Sequence, residues 1–181
     1  MTETINFIIM KKTIQRYGLY GAASICILFL LSWLIGSNFS YSVQEIIGYA
    51  SMFVSLTFVF FGIRHFRDKI NDGTVSFGKA LLLGLAISLI TALAFGVLDV
   101  IYIKYINPDF TEEYYTRSLA ELEETLPAAE FEIERVKMES QKELFMSPVM
   151  SFILMSMTVF VIGFIISLLS AMVLQRKKIT T

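Results

Sequence analysis

Asp99 is the one carboxylate inside a long apolar run of this chain, and a carboxylate in that position could carry a proton or an ion. A charged side chain at the centre of a bilayer costs at least about 2.5 kcal/mol, so one retained at depth usually serves such a pathway. Asp99 stands four residues before Ile103, at the end of its run, where outer water and Lys104 can solvate it. Depth therefore favours a structural role, and transport rests on this residue alone.

Other chemistry is hard to assemble. His65 is the single histidine, which excludes paired-histidine metal sites, and no glycine-rich phosphate loop or serine nucleophile elbow is present. Between Arg64 and Phe66 at a run's edge, His65 reads as an interfacial residue rather than a proton relay. Met146, Met150, Met155 and Met157 could offer thioethers to Cu(I), but a copper route needs ligands converging from several segments, so packing or lipid contact is the preferred reading. The acids between residues 104 and 148 could attract Ca²⁺, yet they follow helical spacing and match no EF-hand pattern. A solvated helix face accounts for them. No catalytic residue, cofactor-binding residue, cofactor or metal site is assigned, and the chain is read as a non-enzyme.

Arg64, Arg67, Asp68 and Lys69 form a compact charged cluster at i, i+3, i+4 and i+5. Opposite charges at these spacings meet on a helix face, and arginines at a membrane edge suit lipid phosphates. Anchoring of a membrane span already explains them; a regulatory lipid or nucleotide site is the alternative.

These residues are positioned by four apolar runs, at 17–36, 46–63, 80–103 and 149–174. Each has 18 or more residues, close to the roughly 20 needed to cross a hydrocarbon layer of about 30 Å. Lipid cannot satisfy backbone amides, and none of the runs shows the alternation of a barrel strand, so the spans are helices. The 181 residues are 55% hydrophobic with a mean hydropathy of +0.66, above the 45–50% of ordinary soluble domains. The expected fold is all-α: a polytopic membrane protein of one four-helix domain over 1–181, with spans at about 17–36, 46–66, 77–104 and 148–174 and an acidic extracytoplasmic insert at 107–147, between helices 3 and 4, that is expected to form a helical hairpin or one bent helix.

Basic residues alternate along the chain. Lys11, Lys12 and Arg16 precede the first run; none lies between 37 and 45; Arg64, Arg67, Lys69 and Lys79 flank the second loop; Arg176, Lys177 and Lys178 follow the last run. Lys and Arg near a span are retained in the cytoplasm, which places both termini and the 64–79 loop inside. The 104–148 loop, with eleven acids against five bases, is then outside. No dense basic patch suits nucleic acid. Cys26 has no possible intrachain disulfide partner and reads as a small packing residue. The first run is longer than a signal-peptide core, and Ile35-Gly36-Ser37-Asn38 is a poor cleavage site, so it is read as a retained span. Before it, Ile5, Phe7, Ile8 and Ile9 suit the interface.

Within the third run Ala80, Gly84, Ser88, Ala92 and Gly96 recur every four residues, and Gly163, Ser167 and Ala171 repeat the pattern in the fourth. Small residues along one face let helix backbones approach where lipid removes the hydrophobic drive. Spans three and four are expected to pack along these faces, or to use them against another copy. Between them Asn107-Pro108-Asp109 breaks the helix, Thr111 can cap a new one with an apolar stripe of Tyr115, Leu119, Leu122 and Leu126, and Leu126-Pro127 separates it from a second stretch at about 128–145. Asn71-Asp72-Gly73 supplies a turn, with positive φ expected at Asn and Gly; Thr74 or Ser76 can cap the following helix, and Ser147-Pro148 starts the last.

The segment Gly62-Ile63-Arg64-His65-Phe66-Arg67-Asp68-Lys69, followed by Asn71, Gly73, Ser76-Phe77-Gly78-Lys79-Ala80 and Gly84, resembles the domain-of-unknown-function 4199 family, small four-span membrane proteins of certain Gram-negative bacteria. Asn107-Pro108-Asp109-Phe110 and the acidic insert are also similar. The resemblance covers roughly 12–176 and implies inner-membrane location and this topology, without catalytic residues to transfer. The function expected is that of an interaction, assembly or regulatory subunit whose partners are the lipid bilayer and either itself or another membrane protein. The alternative is a small oligomeric transporter or channel lined by Asp99, Ser51, Ser55, Thr57, Ser88 and Thr91.

Overall fold

The computed structural model describes residues 2–36 and 39–176, with side chains except those of 2–8, 41 and 145. The side chains of Ile5, Phe7 and Ile8, the Ser37-Asn38 pair, and Lys177 and Lys178 lie outside the described residues. Among the described residues six α-helices follow in order: α1 (Thr2–Gly36), α2 (Tyr41–His65), α3 (Phe77–Ile101), α4 (Phe110–Thr125), α5 (Ala128–Phe145) and α6 (Pro148–Leu174). Each of α2 and α3 is extended by a five-residue π-helical turn, Phe66–Ile70 and Tyr102–Ile106.

Among the described residues four segments are long and apolar enough to cross a membrane: Ile9–Gly36, Ser42–Ile70, Phe77–Ile106 and Pro148–Leu174, with mean hydropathies of 2.0, 2.0, 2.5 and 2.6. At 1.5 Å per residue, even the shortest exceeds a hydrocarbon layer of about 30 Å. Leu19, Ile46, Leu82, Val149 and Val173 are among many large apolar side chains on these segments that are turned outward. That is the arrangement expected where lipid is the solvent.

The chain divides into two compact units, Met1–Phe95 with Ser156–Thr181, and Gly96–Met155. In the first, α1 packs on α2, and the amide of Gln44 closes their short connection by donating to the carbonyls of Gly36 and Phe39 at 3.0 Å. The helices begin earlier than hydropathy predicts: α1 already at Thr2 rather than Tyr17, and α2 at Tyr41 rather than Ile46. A helix continues through polar residues because its backbone bonds are local, so apolar runs mark membrane crossing rather than helix ends.

Both π turns close on an asparagine, with Asn71 N–H donating to the Phe66 carbonyl and Asn107 N–H to that of Tyr102. After the first, Asp72 (φ 49°) and Gly73 (φ 74°) take the left-handed conformation. Positive φ therefore falls on Asp72 and not on Asn71, whose side-chain amide instead donates to the Thr74 carbonyl at 2.6 Å. Ser76 caps α3 by accepting from Lys79 N–H. Thr111 does not cap α4: it lies inside that helix, and Asp109 holds the N-cap position.

Candidate functional site

All five members of the ladder, Ala80, Gly84, Ser88, Ala92 and Gly96, are buried on α3, as are Gly163, Ser167 and Ala171 on α6. Four of the eight meet directly. The Ser88 and Ser167 hydroxyl oxygens are 3.2 Å apart. A Cβ placed on Gly84 would lie 2.8 Å from the Ser167 side chain, and one on Gly163 would lie 2.6 Å from that of Ser88. Each serine is thus seated over the glycine of the opposite helix. Since the Ser167 hydroxyl donates to the Gly163 carbonyl at 2.6 Å and has one proton, Ser88 is the donor in the serine pair.

Other helices approach α3 in the same way, at glycines the four-residue ladder does not include. A Cβ on Gly18 of α1 would lie 2.7 Å from Ile90, Gly21 faces Thr91, and a Cβ on Gly62 of α2 would lie 2.5 Å from Ile87. The Phe29 and Phe95 rings meet edge to face at 5.5 Å. Helix α3 is therefore approached by glycines from α1, α2 and α6. Isolated glycines in α1 and α2 carry no period, which is why spacing did not find them.

Apart from Ser88, which is bonded to Ser167, the hydroxyls named as a possible lining are bonded within their own helices. Ser51 donates to Ile47, Ser55 to Ser51, Thr57 to Val54 and Thr91 to Ile87, each to a backbone carbonyl. Among the described residues, Ser156 has the one buried side-chain oxygen without a hydrogen-bond partner. Back-bonding satisfies a hydroxyl where no water is present and leaves it no proton to offer a passing ligand.

Asp99 is 4% exposed. In the Gly96–Met155 unit its carboxylate accepts a hydrogen bond from the Ser151 hydroxyl of α6. Burial at this position contrasts with the expectation that outer water would solvate the group. Lys104, proposed as its neighbour, is exposed.

The charged cluster separates into unlike parts. Arg67 is buried and holds Asp68 with two hydrogen bonds, 2.6 and 3.0 Å. Its third contact is to the carbonyl of Leu174, the last residue of α6, at 3.4 Å. Arg64 is an outer partner of the same carboxylate at 3.6 Å with its side chain 58% exposed, and Lys69 is exposed. Just beyond, Val75 and Arg176 exchange both backbone hydrogen bonds, 2.9 and 3.1 Å. The turn after α2 is thus fastened to the end of α6.

In the acidic segment the predicted stripe Tyr115, Leu119, Leu122 and Leu126 is half-buried. Tyr115 donates to the Glu139 carboxylate, and Lys142 meets Glu112 at 3.1 Å and lies 4.6 Å from the centre of the Tyr115 ring. The bond to Glu139 raises the Tyr115 phenol above its ordinary range, while the bond from Arg135 holds the Glu132 carboxyl below its own. Sequence reasoning did not resolve the faces of α5. Phe131, Glu134, Met138 and Lys142 are half-buried, whereas Ala129, Ile133, Val136, Ser140 and Leu144 are exposed. At 100° per residue these sets lie on opposite sides of the helix, so α5 carries a bare apolar stripe.

The remaining candidates are scattered. The half-buried His65 ring lies 5.6 Å from that of Tyr17, and Cys26 is a half-buried free thiol. Among the described residues no three His, Cys, Asp or Glu side chains are grouped as a metal site requires.

No curated protein and no solved structure matches the chain. The family described as "Protein of unknown function (DUF4199)" matches residues 16–176. That span takes in the Arg64–Lys69 cluster, both small-residue faces and the acidic segment. An all-helical chain with four segments able to cross a membrane, matched over nearly its whole length, belongs to the DUF4199 family.

Proposed function

We propose that this protein is a non-enzymatic subunit of the bacterial inner membrane, with both termini in the cytoplasm, that assembles with or regulates another membrane protein. The observation that carries the reading is the bare stripe Ile133, Val136 and Leu144 on α5, outside the four candidate spans. Inside a span such side chains need only lipid, but on a charged helix in water they need a protein face. The small-residue ladders are less available, because Gly84, Ser88, Gly163 and Ser167 are occupied by one another. Charge specifies the partner: a segment with eleven acids and five bases favours a basic one over a second copy of itself. In this reading α4 and α5 form an extracytoplasmic helical hairpin that presents the stripe.

Photo-crosslinking from position 136 in native membranes tests it. The expected product joins the chain to one membrane protein through a segment rich in Lys and Arg, and is lost in Ile133→Asp. Crosslinks to lipid alone, or between two copies of the chain, would contradict it.

The transporter alternative draws on Asp99, buried and bonded to Ser151. The back-bonded hydroxyls of Ser51, Ser55 and Thr91 favour assembly over a polar route.

A further inference from the structure

Three separate stretches bring cations to one end of the Met1–Phe95 and Ser156–Thr181 unit. Arg64 ends α2, Lys79 opens α3 and lies 5.6 Å from the centre of the Phe66 ring, and Arg176 follows α6 and is pinned to Val75. Arg67 is drawn into the protein among them by its contact with the Leu174 carbonyl. The carboxylate that Arg64 and Arg67 contact is Asp68. Arg67 occupies it with two short hydrogen bonds, so Arg64 is left with a 3.6 Å contact and an exposed guanidinium. Arg176 acts on the same carboxylate from the other chain segment.

The result is a surplus of positive charge on a framed site. Flexible anchoring lysines can each find water or lipid independently, but Arg64 reaches the Asp68 carboxylate by its side chain and Arg176 is fastened to the same turn through its backbone. A guanidinium offers a planar fork of donors that matches phosphate oxygens. Arg64 lies near the end of the span candidate Ser42–Ile70, where a helix that crosses a membrane meets lipid headgroups. We propose that Arg64, Arg176 and Lys79 bind the phosphate of an anionic phospholipid, with Arg67 and Asp68 as positioning residues beneath it. The chemistry recognised is a phosphate, which a soluble anion could also supply.

The test uses the purified full chain, delipidated in mild detergent and titrated separately with phosphatidylglycerol, phosphatidylcholine and inorganic phosphate. Thermal midpoint and lipid retention in native mass spectrometry are the readouts. Phosphatidylglycerol should raise the midpoint and remain bound, phosphatidylcholine and inorganic phosphate should do neither, and Arg64→Gln/Arg176→Gln should retain phosphatidylglycerol about tenfold less well. Arg135→Gln/Lys137→Gln, with two cations removed from α5, should respond as the natural chain does. If the double variant does not fold, Arg64→Gln alone should give an intermediate loss. An undiminished response in the Arg64 variants, or equal retention of both lipids, would overturn the site. A shift reproduced by inorganic phosphate would overturn a lipid as its occupant. None of these outcomes bears on the α5 stripe, so this site and the assembly role fail separately.

Discussion

The hydroxyl of Ser88 and that of Ser167 are 3.2 Å apart, and each serine sits against the glycine of the opposite helix, Ser88 on Gly163 and Ser167 on Gly84. Contact this close depends on the absent side chains. Replacing Gly84 and Ser88 together with Leu should destabilise the fold by more than the 1–3 kcal/mol typical of one overpacked site, because α6 must move bodily. Leu82→Ala, on the outward face of the same helix, should change stability by no more than about 0.5 kcal/mol. Unfolding in detergent followed by circular dichroism checks both, and an unchanged midpoint in the double variant would count against close packing.

Arg67 and Arg64 lie three residues apart on α2 and its extension but should differ sharply. Arg67→Gln removes the two bonds to Asp68 and a donor from the end of α6, with an expected loss on the order of 1–3 kcal/mol. Arg64→Gln removes a long, exposed contact and should cost less than about 0.5 kcal/mol in detergent. Equal losses for the two variants would mean that the structure assigns their roles wrongly.

For Asp99, the informative comparison is between its own substitution and that of its partner. Asp99→Asn keeps a group able to bond Ser151 and should leave stability within about 0.5 kcal/mol. Ser151→Ala leaves the buried carboxyl without that donor and should cost about 1–3 kcal/mol. Ion or proton flux through liposomes that Asp99→Asn abolishes would favour the transporter alternative instead.

Tyr115 gives a pH-dependent prediction. Its folded pKa is raised above the usual value of about 10 because Glu139 accepts the phenolic proton's hydrogen bond. The bond's contribution is complete below the unfolded pKa and is lost as pH rises through the folded one. Glu132 runs the other way: its folded pKa is lowered by Arg135, so that contribution holds above the ordinary glutamate range and is lost as pH falls through the folded value. The phenolate absorbance difference between the natural chain and Tyr115→Phe should titrate above pH 10, and an ordinary midpoint would remove the Tyr115–Glu139 bond.

How much of this was legible depended on whether the signal was local. Hydropathy, proline and period four found the apolar segments, the start of α6 at Pro148, the half-buried stripe of α4 and the two small-residue faces, because each is a property of neighbouring residues. The glycines of α1 and α2 against Ile90, Thr91 and Ile87 were not legible, since their meaning depends on which helix arrives. The same holds for Arg67, which reads as one more anchoring cation until the Leu174 carbonyl, 107 positions away, is seen beside it. The early start of α1 was hidden by polar residues that end an apolar run without ending a helix.

The most direct test concerns the four crossings themselves. In a Cys26→Ser background, single cysteines at Glu123 and at Asp72 should be probed with a membrane-impermeant maleimide on intact spheroplasts and again after lysis. Four crossings with cytoplasmic ends predict labelling at position 123 in intact spheroplasts and at position 72 only after lysis. Protection at 123, or labelling at 72 before lysis, would contradict the membrane topology on which the proposed role rests.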